Sequence, residues 1–253
     1  MLDEVFRHPD HLLLLVATLA SLNRTFYLPR RFARLPDMPL RVRLRGVFPR
    51  VPLLAVVGSR RPTRDALSSL PWVVEAAVSS GWGILSGGAR GVDGAAHHEC
   101  LCRRGTTVAV LGSGLSQLYP PDHADLFRRI AEQDGCLLSE YEDHAPPRPW
   151  RFPQRNRLIS GFSDAVFVVQ AGEASGSLVT AKIAAEFHGK TVMALPGSAC
   201  SPEWAGSNRL LRDGALLVNN QDDLLAVLAL LQKSAEANAK QNEDDAGSVG
   251  KYG

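Results

Sequence analysis

From Leu53 onward, uninterrupted apolar runs of strand length alternate with longer segments whose apolar positions recur at helical spacing. The runs are LLAVVG (53–58), GILS (83–86), TVAVLG (107–112), CLLSE (136–140), AVFVVQ (165–170), TVMALPG (191–197) and ALLVN (215–219). The segments between them predict helices over 65–80, 92–103, 123–133, 155–161, 177–188 and 207–213, with a final one over 222–232. Strands that are apolar at nearly every position are buried on both faces, and strands separated by helices are joined by crossovers. The pattern therefore predicts an α/β fold, a doubly wound and mostly parallel sheet of the extended Rossmann-like kind.

The first 52 residues obey a different pattern. LLLLVATLA (12–20) lies in a short helix predicted over 9–22. It is much shorter than a membrane span, and His8, Asp10 and His11 precede it where a signal peptide carries Lys or Arg. LRVRLRG (40–46) alternates Leu or Val with Arg, as an extra edge strand with one wet face does. After Gln232 the stretch KSAEANAKQNEDDAGSVGKYG lacks large apolar residues except Val249 and Tyr252, and disorder is expected there. The expected organisation is a short helical N-terminal segment (1–26), an extended Rossmann-like domain (27–232) and a disordered polar tail (233–253). A cytoplasmic location, away from membranes, is expected.

Composition sharpens this picture at two points. At 253 residues and 45% hydrophobic the chain can build one sizeable core. Its formal net charge of +2 is nearly neutral, so any polyanion site must come from local clustering. Such clustering occurs between Arg24 and Arg64, where Asp37 is the lone acid among many arginines, and again in RFPQRNRLISG (151–161), which holds three arginines and no carboxylate. A solvated helix face would interleave acids with the bases, so the second run reads as positive charge held for something outside the chain. Cys100, Cys102, Cys136 and Cys200 show neither disulfide nor zinc spacing, and no metal or cofactor is expected.

In a doubly wound sheet ligands bind beyond the carboxyl ends of the strands, at the topological switch point. The segments that follow the strands are GSRRPT (58–63), SGGARGVD (86–93), GSGLSQLYPP (112–121), the stretch 139–157, AGEASGSLVTA (171–181) and PGS (196–198). Glycines there let the backbone approach an anion, and helix N-termini supply free N–H groups. Ser59, Ser86, Ser113, Ser175 and Ser177 add hydroxyls, and Arg60, Arg90, Arg155 and Arg157 add guanidinium groups. A phosphate-rich ligand fits this set. GSGLSQ (112–117) has Gln117 at the third glycine position of a dinucleotide fingerprint, and no P-loop motif exists in the chain. Asp93 reads equally well as a helix cap and as an acid, and of the adjacent His97 and His98 at most one faces a site. Phe152, Trp150 and Tyr119 offer aromatic faces for bases, although Phe152 serves equally well as a core anchor.

VVGSRRPT (56–63), LSGGARGVDGAAHHECL (85–101), GTTVAVLGSGLSQLYPPDH (105–123), LLSEY (137–141), FPQRNRLISGFSDAVFVVQA (152–171), SGSLVTAKIAAEFHGKTVMALPG (175–197) and GSNRLLRDGA (206–215), in this order, resemble the DNA-processing protein A family, DprA or Smf. The resemblance covers about 27–225. It implies a single-stranded DNA-binding recombination mediator, not an enzyme, that dimerises and hands the strand to the RecA recombinase during natural transformation. Carried over by motif, the nucleic-acid-binding residues are Gly58, Ser59, Arg60, Arg90, Phe152, Arg155, Asn156, Arg157, Ser175, Ser177 and Lys182. Phe152 would sit by a base and Arg155 and Arg157 by the backbone. The chain departs from the family where Pro149 and Pro121 replace residues that are usually basic, which predicts weaker binding or a rerouted strand. The family's dimer surface corresponds loosely to DDLLAVLALL (222–231), a helix that serves equally well as packing for its own sheet. The alternative is a nucleotide-binding sensor or nucleoside-phosphate hydrolase of the wider superfamily. Those proteins carry P-G-G-x-G-T where this chain has EASGSLVT.

Overall fold

The computed structural model describes residues 22–29, 32 and 35–249, with side chains through residue 237. The helix predicted over 9–22 therefore lies outside the described residues but for its last position. Among the described residues the strands are β1 (Arg24–Tyr27), β2 (Arg41–Gly46), β3 (Leu53–Val57), β4 (Gly83–Ser86), β5 (Thr107–Val110), β6 (Cys136–Ser139), β7 (Ala165–Val168), β8 (Thr191–Ala194) and β9 (Leu216–Leu217). The helices are α1 (Arg64–Ser79), α2 (Val92–Cys102), α3 (Ala124–Glu132), α4 (Arg151–Phe162), α5 (Gly176–Glu186), α6 (Ala205–Arg212) and α7 (Gln221–Val249).

The strands form one sheet in the order β1-β2-β6-β5-β4-β3-β7-β8-β9. From β6 to β9 every pairing is parallel, and β2 and β1 add an antiparallel edge beside β6. The alternating LRVRLRG run is thus an added strand, with Val42 and Leu44 buried and Arg41 exposed. Beyond it lies β1, a strand the sequence pattern does not announce because of its four residues only Phe26 is half-buried. The strand order reverses between β3 and β7, which places the switch point beside Gly58.

Period-two burial divides the core between the two faces of the sheet. Leu53, Ala55 and Val57 of β3 face α4 and α5 through Leu158, Ile159, Phe162 and Leu178. Leu54 and Val56 face α1, α2 and α7 through Leu70, Val74, Val92 and Leu224. A third cluster seats α3 on β5 and β6 through Phe127, Ile130 and Leu137.

Two boundaries depart from the sequence pattern. Helix α4 begins at Arg151, four positions before the predicted start, because Pro153 sits in the first turn, where its missing N–H has no helical partner to lose. Helix α7 continues past Gln232 to Val249, where disorder was expected. Its extension is rich in Ala, Lys, Gln and Glu, strong helix formers that propagate a helix already anchored on the sheet by Leu224 and Leu228.

Candidate functional site

A cleft of about 610 Å³ opens at the carboxyl end of the sheet, over the β3–β7 switch point. Its walls are the loop after β3, the start of α4, and the loop that leads from β7 into α5. A side compartment of about 230 Å³ continues between Arg60, Arg90, Tyr119 and Phe152.

The loop after β3 is held in place by a residue that the apolar pattern hides at the end of a strand. Gln170 is fully buried; its carbonyl accepts from Ser59 N at 2.8 Å, and its amide exchanges hydrogen bonds with Thr63 N and Oγ1, both at 2.9 Å. Ser59 O in turn accepts from Val92 N at 3.1 Å, which ties the loop to α2. Arg60 and Arg61 project from this braced loop and are exposed. The Arg60 guanidinium lies 5.8 Å from the Phe152 ring centroid, within cation–π range. No carboxylate pairs with either arginine among the described residues.

Phe152 is half-buried and serves both roles open to it. One side of the ring lies on the β5 loop, where a Cβ at Gly112 would stand 2.8 Å from it, so a side chain there would displace the ring. Toward the cleft it meets Tyr119, 39% exposed, at a centroid distance of 5.5 Å. Trp150, by contrast, does not line the cleft; Arg151 lies between its ring and that of Tyr141, 5.0 Å and 4.4 Å from the two centroids.

The arginines of RFPQRNR diverge. Arg155 is 4% exposed and donates to the carbonyls of Gly87 and Val110, so it clamps the ends of β4 and β5. Burial lowers its pKa to about 10, against the opposing charge of Asp93, and it stays a cation at neutral pH. Asp93 accepts from Gly87 N at 3.2 Å and Ala89 N at 3.4 Å, which makes it a loop brace where a cap of its own helix was an expectation. Burial pushes its carboxyl upward while Arg155 and these N–H groups oppose the shift. Arg157 points to the other side of α4 and pairs with Glu140 at 2.6 Å. The run has no acid within it, but Glu140 supplies one across the fold. Asn156 lines the cleft and donates to Gly176 O at 3.1 Å, orienting the start of α5.

The structure thus gathers Gly58, Ser59, Arg60, Phe152, Arg155, Asn156, Ser175 and Ser177 around one cleft. Arg90 reaches its side compartment but is held by Asp122 through bonds of 2.9 and 2.7 Å. That guanidinium holds the Asp122 carboxyl below its usual range. Arg157 and Lys182 lie elsewhere, Lys182 in a groove of about 1100 Å³ along α5. Sequence reasoning passed over Arg61, Gln170 and Thr180; only Arg61 carried a visible signal, as the neighbour of Arg60. His97 is fully buried: the one proton of the Thr107 hydroxyl goes to Ile84 O, so this hydroxyl accepts from His97 Nδ1 at 2.7 Å. Its role is structural.

A family model described as DNA recombination-mediator protein A matches residues 21–229. The chain belongs to the DNA-processing protein A family. Among its relatives, Protein Smf of Synechocystis is 41% identical over 181 residues, which is 72% of this chain and 45% of that protein. DNA processing protein DprA of Bacillus subtilis is 37% identical over 175 residues, 69% of this chain and 58% of that one. The chain therefore spans about half the length of these curated relatives. The crystal structure of DprA from Streptococcus pneumoniae superposes with a TM-score of 0.75 at 32% identity, over 89% of this chain and 80% of that one. DprA from Helicobacter pylori, whose structure is described as showing a single-stranded DNA binding mode, gives 0.74 at 30% identity, over 83% and 96%. These likenesses confirm the Rossmann-like DprA fold expected from the motifs.

Proposed function

We propose that this member of the DprA family binds single-stranded DNA in the switch-point cleft and acts as a recombination mediator, not as an enzyme. The observation that carries this reading is the free Arg60 guanidinium, set over the Phe152 ring on a braced loop. Single-strand binders combine such cations with aromatic faces that accept any base, each stacked base contributing about 1–3 kcal/mol. The single-stranded DNA binding described for the Helicobacter pylori relative supports the same reading. Family membership supports the further reading that the strand is delivered to RecA, in the cytoplasm and in natural transformation or recombination.

A homodimer fits the far edge of the sheet. Leu216 and Leu217 of β9 are 45% and 57% exposed on an edge strand, a liability that a second copy would cover. The test of the main reading is a titration of labelled oligo(dT) and a matched duplex followed by anisotropy. Tight binding to the single strand that weakens with salt is expected; equal or absent binding of both overturns it.

A further inference from the structure

Beside α5 the cleft gathers several hydrogen-bond donors. A bridging phosphodiester carries one charge and two free oxygens. A terminal phosphate monoester carries about −1.5 to −2 charges and three. Beside α5 the wall presents the first turn of an eleven-residue helix, with Ser175 as its N-cap and Ser177 next to it. The two hydroxyls lie 2.7 Å apart. One turn deeper is Thr180, 1% exposed and lining the same cavity, whose hydroxyl makes no hydrogen bond among the described residues. The carbonyl of Gly176, one turn back, accepts from Asn156 at 3.1 Å. The hydroxyl is not sealed in the core but opens onto the cleft, where a ligand oxygen can accept from it. Asp93, the one carboxylate in the wall among the described residues, is turned to the N–H groups of Gly87 and Ala89.

From this we infer that the compartment at the start of α5 is a site for a phosphate monoester on a nucleoside 5′-oxygen, with Thr180 and the α5 first turn as donors and Arg60 and Arg61 as cations. Two sources share that chemistry: the 5′-phosphorylated end of a strand, which rests on the DNA-binding reading, and a free nucleoside monophosphate, which does not.

The experiment compares 5′-phosphoryl with 5′-hydroxyl oligo(dT) by anisotropy, and adds AMP by calorimetry, on the full chain and on Thr180→Val. About a tenfold preference for the phosphorylated oligonucleotide is expected, as befits charge-assisted hydrogen bonds. Thr180→Val should erase the preference, with the melting temperature unchanged or raised, since the lost hydroxyl has no partner in the fold. Preference without AMP binding assigns the strand end; AMP binding lost in the variant, without a preference, assigns the free nucleotide. If neither oligonucleotide binds, the DNA reading fails, yet AMP binding that Thr180→Val removes still upholds the site. Equal oligonucleotide affinities with no AMP binding, or a preference that survives Thr180→Val, overturn it.

Discussion

Arg60 and Arg155 border the same cleft, and their surroundings assign them opposite duties. Arg155 satisfies two buried carbonyls and offsets Asp93, so Arg155→Ala should lower stability by about 3 kcal/mol, read as a shift of the urea midpoint at constant slope. A shift under about 0.5 kcal/mol would place Arg155 among the surface cations instead. The Gly87 position belongs to the same device, since a Cβ there would meet the guanidinium at 2.7 Å. Arg90 is different again, an exposed cation neutralised by Asp122. Asp122→Asn should release it, tightening single-strand binding and steepening the salt dependence by about 0.7 in log–log slope, one more phosphate contact. An unchanged slope would show that Arg90 does not reach the strand.

At the scale of elements, the parallel strands were legible because each is apolar on both faces, and their order put the glycine- and serine-rich loops at one end. The use of each side chain was less so. Arg155 and Arg157 look equivalent in RFPQRNR, but two positions on a helix point one toward the ends of β4 and β5 and the other toward Glu140. Only tertiary structure distinguishes them. Gln170 reads as the end of an apolar strand and proves to be the brace of the Arg60 loop. Helix α2 carries a pH dependence of its own. Burial lowers the His97 pKa to about 3, with the nearby His123 charge adding to the effect. The unfolded chain binds a proton below about 6.5 that the folded chain refuses, so stability is full above that pH and falls by up to about 1.4 kcal/mol per pH unit toward 3. Chemical denaturation across this range should show that slope reduced in His97→Asn; an identical slope would assign acid sensitivity to other groups.

For the whole molecule, the sheet has two unlike ends. Beside β2, Arg43 bonds Asp143 through both guanidinium arms and Arg45 bonds Leu115 O, so part of the N-terminal arginine cluster ties the added strand to the site loops. At the other end the leucines of β9 lack such cover. Leu217→Lys should convert a dimer to a monomer in light scattering without loss of helix signal, and a wild-type monomer at micromolar concentration would refute the edge as a dimer surface. Between these ends lies the cleft that the strand would follow. The most direct test of that path is anisotropy of labelled oligo(dT) across several salt concentrations with Arg60→Ala and Arg157→Ala compared separately. Arg60→Ala should weaken binding at least tenfold and flatten the salt slope by about 0.7, while Arg157→Ala, outside the cleft and paired with Glu140, should leave the slope unchanged. Equal losses in both variants, or none in Arg60→Ala, would contradict a strand path through the switch-point cleft.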